Sequence, residues 1–595
     1  MRTGAIANRV CMAWLLAVWS GSVGADPALG PDAGPANGLI VKLRLTGVPG
    51  DAETPRLARA MAAAGVAPLR LRAVGRAHHL AFGRPLARAD ASAIAQRLRS
   101  QPEVEWVVPN TREQRLDADA PPNDPLFASQ WWLHAVAGSN ANAIGDRRRG
   151  VPGFDAAWRI EDDDSGNGKS GNANGDGNAG SAVVVAILDT GITTHPDLNA
   201  SVLRGYDFVS EVDYANDGDG RDADPSDPGD WVSDADRSAH PAAFGNCTVQ
   251  DSNWHGTVIA GIVAASTRNA LGVAGANGSA RVLPVRVAGK CGAELVDILD
   301  GMRWAAGLAV SGVPRNANPA RIVNLSFGGS AACNAAYQDT IDELAAQGVV
   351  VIAAAGNGHG VSTRPANCAR VVGVAALNRD GFKASYSNFG PEVAIATVGG
   401  DAAGGAWTAM LGDGGLFTLG NSGLRGPGVP VYGAVSGTSF AAPMVSATVS
   451  LMLQANPKLS AAQLVKGLTA SARPHVLASR IAPCSALNPG RCICNSATCG
   501  AGILDAAQAL AYAKSPATYQ APNWPRVDLD SAPEVVSATA LGIDRPSNPG
   551  TIDAAPVGVA VEATSSGGGG GGALGAGWLA GLALAALALR VTVRR

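Results

Sequence analysis

The stretch AVVVAILDTG (Ala182–Gly191) decides how the chain is read. From Ala182 to Leu188 it is uncharged and rich in β-branched side chains, as suits a strand covered on both faces, and such strands belong to parallel sheets. It delivers Asp189, followed by Thr190 and Gly191. The carboxyl edge of a parallel sheet is where α/β proteins place their sites. An Asp before Thr-Gly is, by itself, an ordinary turn residue. Val349–Ala353 repeats the pattern and runs into AAAGN (Ala353–Asn357), so Asn357 also falls at a strand's carboxyl end. We expect a three-layer α/β domain from about Pro121 to Ser515, with a mostly parallel sheet and helices on both faces.

Two further stretches open helices. HGTVIAGIVAA (His255–Ala265) starts on a histidine and carries small residues that permit close packing. SGTSFAAPMVS (Ser436–Ser446) places Ser439 after Gly437-Thr438, at the head of an apolar helix reaching about Leu453. Either residue could be a plain helix-end residue, and a serine there could be a cap. Taken together, an Asp after a buried strand, a His opening one helix and a Ser opening another, in that chain order, resemble the subtilisins. GTSFAAP (Gly437–Pro443) is the most specific part of the match.

The resemblance implies a secreted serine endopeptidase. Ser439 would be the nucleophile, His255 the base and Asp189 its orienting acid, with the Asn357 amide as an oxyanion donor. It also implies that Ser326, Phe327, Gly328 and Gly329 line the primary specificity pocket opposite Ala355 and Gly356. No charge stands in that lining, which points to uncharged side chains in the substrate. Glycines there let a peptide backbone pair as an added strand. Structural calcium is implied too, at Asp124, Asp197 and Asn269 with the carbonyls of Ser266, Leu271 and Val273, all oxygen ligands. A second calcium candidate is the acidic insertion Asn216–Asp230, with Asp217, Asp219, Asp222, Asp224 and Asp227. It lacks the closing glutamate of a helix-flanked loop, and a solvated acidic loop is the alternative. Two readings compete with a protease: a catalytically silent scaffold for adhesion, and a metal-dependent hydrolase.

The ends carry addresses. Arg2 and Arg9, the apolar Val10–Trp19 and the small residues to Ala25 form a secretory signal over 1–25. From 26 to 120 the pattern runs β-α-β-β-α-β: strands at Leu39–Leu45, Leu69–Val74, His79–Phe82 and Val104–Val108, helices at Pro55–Ala64 and Asp90–Leu98, with Asp90 near a cap. This ferredoxin-like α+β segment, ending in VEWVVPN (Val104–Asn110), resembles the inhibitory prosegments of subtilisin-like proteases. That implies a self-cut between Leu116 and Pro121, and makes the chain's own propeptide a partner alongside protein substrates. Glu161–Gly180, rich in Gly, Asn and Asp, reads as a surface insertion. Residues 516–572 read as a linker closing on Gly567–Gly572, and 573–595 as an apolar span ended by Arg590, Arg594 and Arg595. This last pattern fits a membrane anchor and resembles the removable sorting tails of Gram-negative exported proteins. Transient anchoring follows from that resemblance.

Composition closes off other classes. Charged residues are 16% of the 595 and the formal net charge is -3, so no global basic field draws the chain to nucleic acid. Of nine cysteines, Cys11 would leave with the signal. The remaining eight favour disulfides in an exported chain, in a connectivity that spacing does not choose. The Cys484, Cys492, Cys494, Cys499 cluster lacks the histidine and the spacing of a zinc knuckle.

Overall fold

The computed structural model describes residues 36–44, 53–74, 76–110, 121–135, 148–163, 182–401, 414–530 and 535–536. The expected signal, the self-cut segment, most of the Gly/Asn/Asp-rich insertion and the apolar tail lie outside them. Among the described residues no helix is long and apolar enough to cross a membrane. The chain divides between Asp117 and Ala118 into two compact units.

In the first unit, strands Leu39–Leu43, Arg70–Val74, Ala77–Ala81 and Val104–Pro109 and helices Glu53–Ala63 and Arg88–Arg99 follow the expected order. The sheet is antiparallel, with Leu39–Leu43 between Ala77–Ala81 and Val104–Pro109, and Arg70–Val74 on the edge. Alternation along Leu39–Leu43 sends Leu39, Val41 and Leu43 inward to meet Leu57, Leu80, Leu98 and Val107. The cap position of helix Arg88–Arg99 is Ala87, which makes no side-chain bond, and Asp90 lies in the first turn, where its charge still faces the positive helix end.

The second unit is built on seven parallel strands. Across the sheet they run Val393–Val398, Val371–Leu377, Val350–Ala354, Ile322–Leu325, Val184–Asp189, Arg281–Arg286 and Tyr206–Asp207. Side-chain alternation in Val184–Asp189 explains why the run is apolar throughout. Val185 and Ile187 join a core with the helices His255–Ala264 and Thr438–Ala455, while Ala186 and Leu188 join the opposite core with Leu295–Ala305 and Ala335–Ala346. From Val184–Asp189 the chain builds first toward Arg281–Arg286 and then crosses to Ile322–Leu325, so the order reverses between Asp189 and Ser326. A crevice opens at the carboxyl ends of such a reversal.

The cysteines pair as Cys247–Cys291, Cys333–Cys368, Cys484–Cys492 and Cys494–Cys499. Cys484, Cys494 and Cys499 lie close enough to resemble a metal site, yet each is already oxidised. Packing continues beyond Ser515. Leu477 N–H donates to the Val527 carbonyl and Leu529 N–H to the Leu477 carbonyl, both at 2.8 Å, and Leu529 is buried. The first part of the segment read as a linker is therefore docked on the α/β unit. Similarly, Glu161–Asp163 close the helix Phe154–Asp163 instead of opening the insertion.

Candidate active site

The Ser439 helix begins with a defect that serves the site. Gly437 is its N-cap, so Ser439 is the second helical residue and its N–H has no acceptor within the helix. Pro443 stands four residues after Ser439 and has no N–H to offer that residue's carbonyl. Ser326 Oγ–H fills the gap at 2.8 Å, and Ser439 Oγ–H donates back to the Ser326 carbonyl at 3.1 Å. This reciprocal pair locks the head of the helix to the end of strand Ile322–Leu325.

The His255 helix arrives from the other side. Its Nδ1 lies 2.9 Å from both Asp189 carboxylate oxygens, and His255 and Asp189 are both buried. Nε2 is buried and has no hydrogen-bond partner among the described residues. The ring packs against Phe327 and Phe440, at centroid distances of 5.4 and 5.5 Å. Burial disfavours the imidazolium, but the carboxylates of Asp189, Asp230 and Asp227 outweigh it, so the ring holds its proton more tightly than a free imidazole. Gly256 allows the helix to approach: a Cβ there would stand 2.1 Å from the Gly191 carbonyl.

Asn357 Oδ1 accepts from Thr438 N–H at 2.9 Å and from Thr438 Oγ–H at 2.8 Å. With its oxygen held, the amide NH₂ is the free end, and it lies beside Gly437. Gly356 takes φ +105°, the turn that swings Asn357 out of the strand. Of the expected pocket lining, Ser326 and Ala355 are buried, Phe327, Gly329 and Gly356 half-buried, and Gly328 exposed. The lining is not free of charge. Arg364 lies against it, its carbonyl accepting from Gly329 N–H at 3.1 Å and its Nε 2.7 Å from where a Gly329 Cβ would stand. Arg364 is remote in sequence from Gly329, so spacing could not reveal it.

The expected calcium residues meet in part. Asp124 accepts from the N–H groups of Arg268 (2.9 Å) and Asn269 (3.3 Å). Asp197 accepts from Asn269 Nδ2 (2.6 Å) and Val273 N–H (2.9 Å), and its carbonyl from Ser266 N–H at 2.7 Å. Leu271 N–H donates to Asn269 Oδ1 at 2.9 Å. Burial raises the affinity of both carboxylates for protons, and the charge of Asp124 adds to it at Asp197. Asp124 and Asp197 are buried carboxylates, oxygen donors of the kind a hard cation takes.

The acidic insertion does not converge. Asp217 turns onto Arg286, Asp222 accepts from Asp224 N–H, Asp224 accepts from Ser226, Asp219 donates its N–H to Asp217, and Asp227 reaches Thr190. Among the described residues no three carboxylates gather closely enough to share an ion. Local turn bonds and the buried Arg286 each hold one or more of Asp217, Asp219, Asp222, Asp224 and Asp227. The sequence reading also missed Thr190, Asp230, Asn253 and Trp254, all of which surround the His255–Asp189 pair. The nearness of Thr190 to Asp189 and of Asn253 and Trp254 to His255 could have signalled those three, whereas nothing in the sequence set Asp230 apart.

A family model described as the Subtilase family matches residues 180–497. The chain belongs to the subtilase family. An extracellular protease of Xanthomonas campestris pv. campestris is 38% identical over 426 residues, 71% of this chain and 62% of its own length. An extracellular basic protease of Dichelobacter nodosus is 37% identical over 368 residues, 62% of this chain and 53% of its own length. Subtilisin Savinase of Lederbergia lenta is 31% identical over 290 residues, 48% of this chain and 82% of its own length. Among solved structures, one of proteases from Pseudoalteromonas arctica PAMC 21717 matches with 38% identity and a TM-score of 0.52, over 66% of this chain and 100% of that one.

Proposed function

We propose that this chain is a secreted serine endopeptidase that processes its own precursor. The observation that carries the reading is His255, held through Nδ1 by buried Asp189 while its buried Nε2 has no partner among the described residues. In this reading the Ser439 hydroxyl leaves the Ser326 carbonyl when substrate binds. Its oxygen attacks the scissile carbonyl carbon as Nε2 takes its proton. The oxyanion is met by Ser439 N–H and the Asn357 NH₂. The imidazolium, stabilised by Asp189, protonates the leaving amine, and water then repeats the cycle on the acyl-enzyme. The names of the relatives in Xanthomonas and Dichelobacter support an extracellular site of action.

Residues 26–120 act as the inhibitory propeptide, removed by a cut between Leu116 and Pro121, and the 573–595 tail as a transient anchor. Calcium, where bound, is held by Asp124, Asp197, Asn269 and carbonyls of the same loop, and cancels the repulsion between the two carboxylates. The test is labelling of the secreted protein with a fluorophosphonate, followed by peptide mapping. Label on Ser439 that survives chelation is expected. An unlabelled protein would favour the silent scaffold, and labelling abolished by chelation would favour metal-dependent hydrolysis.

A further inference from the structure

Two aspartates of the acidic insertion, Asp227 and Asp230, are 2% and 5% exposed. Burying a carboxylate is costly unless hydrogen bonds repay it, and each of these two makes a bond that leads toward the catalytic pair. Asp227 Oδ2 accepts from Thr190 Oγ–H at 2.6 Å, and its Oδ1 from Gly229 N–H at 2.9 Å. Because the Thr190 proton points at Asp227, the same oxygen is left to accept Gly256 N–H at 3.1 Å, while Thr190 N–H donates to Asp189 Oδ1 at 2.8 Å. Thr190 thus ties Asp189 to the residue after His255, and Asp227 sets its direction.

Asp230 acts through Asn253. It accepts from Asn253 N–H at 2.9 Å and from Asn253 Nδ2 at 2.7 Å. With its amide so oriented, Asn253 Oδ1 accepts His255 N–H at 2.9 Å. The insertion is seated firmly on the segment after Asp189: Ile192 N–H donates to the Pro225 carbonyl, Asp227 N–H to the Ile192 carbonyl, and a Cβ on Gly191 would stand 2.6 Å from the Pro225 carbonyl.

We propose that Asp227 and Asp230 are positioning residues of the peptidase, orienting the Asp189–His255 pair through Thr190 and Asn253 and adding negative charge around the imidazole. This rests on the functional reading above. The charged groups around His255 are Asp189, Asp230 and Asp227. Around Asp230 they are His255 and Asp189, and around Asp227 they are Asp230 and Arg286, the latter also paired with Asp207 and Asp217. Removing the Asp230 charge leaves His255 easier to deprotonate, so activity should persist to lower pH.

The experiment measures the rate of fluorophosphonate labelling of Ser439 against pH in the secreted protein and its variants. Asp230→Asn, which keeps an acceptor for Asn253 N–H, is expected to move the acid limb down by about half a pH unit or more. Asp227→Leu, which leaves Thr190 without its acceptor, should slow labelling about tenfold or more, and Asp227→Asn should recover most of the rate because its amide oxygen still accepts. An unlabelled wild type would sink the peptidase reading and this one with it. A labelled wild type whose acid limb is unmoved by Asp230→Asn, and whose rate is unmoved by Asp227→Leu, would overturn the positioning role alone. If Asp227→Leu is not secreted, the limb of Asp230→Asn decides.

Discussion

At the residue scale, Ser439 and Asn357 separate chemistry from scaffold. Ser439→Ala deletes the proposed nucleophile, so on that proposal the precursor should accumulate uncut when release of residues 26–120 is followed over time. Asn357→Ala leaves nucleophile and base and removes one donor. It should slow release about 100- to 1000-fold, the range known for losing an oxyanion donor in a subtilisin. Wild type added in trans should mature both. The histidine predicts a pH dependence with a definite sign. Acylation needs neutral His255, and its folded-state proton affinity is raised above the ordinary 6.5. The acid limb of kcat/KM is therefore expected above that value. The same linkage stabilises the fold below 6.5, and the contribution fades as pH rises through the folded-state value. Denaturant midpoints of Ser439→Ala, measured across this range against Ser439→Ala/His255→Ala, would reveal it.

At the scale of elements, the His255 helix sets the tolerances. It enters through Trp254, which takes φ 55° as its N-cap, a left-handed conformation that is strained for a bulky side chain. Trp254 is held there by burial and by its indole N–H, which donates to the Gly423 carbonyl at 2.8 Å. That carbonyl belongs to the tip between strands Leu416–Asn421 and Pro430–Val435, and Ser252 bonds the same tip through the Leu424 and Arg425 carbonyls. Further along, Gly261 lies where a Cβ would press on the Leu419 side chain at 2.6 Å. Gly256 faces backbone, which cannot yield as a side chain can. Gly256→Ala is therefore expected to destabilise by about 1–3 kcal/mol and to cut kcat far more than KM, whereas Gly261→Ala should lower stability with kcat largely kept. Thermal melts and steady-state kinetics of the two variants would check the contrast. These glycines were legible as a run of small residues, but which of them faces backbone was not.

For the whole molecule, two expectations concern what surrounds the α/β unit. Melting with and without a chelator should show calcium raising Tm, because Asp124 and Asp197 repel in its absence. An unchanged Tm would remove calcium from that loop. Intact-mass analysis of the secreted form should lack Ala573–Arg595, and Arg595 in the medium would refute removal of the tail. The sequence by itself determined the parallel α/β architecture, since strands covered on both faces must be apolar throughout, as Ala182–Leu188 is. Asp189, His255, Ser439 and Asn357 were legible as candidates through the resemblance of their contiguous motifs, each at an element end, to those of the subtilisins. Only the tertiary structure decided the disulfide pairing, the docking of Leu529, the approach of Arg364 to Gly329, and the fate of the acidic insertion. Those depend on contacts between residues far apart in the chain. A carboxylate in a polar loop reads the same whether it is solvated, bound to an ion or, like Asp230, buried behind a histidine, until folding supplies its neighbours.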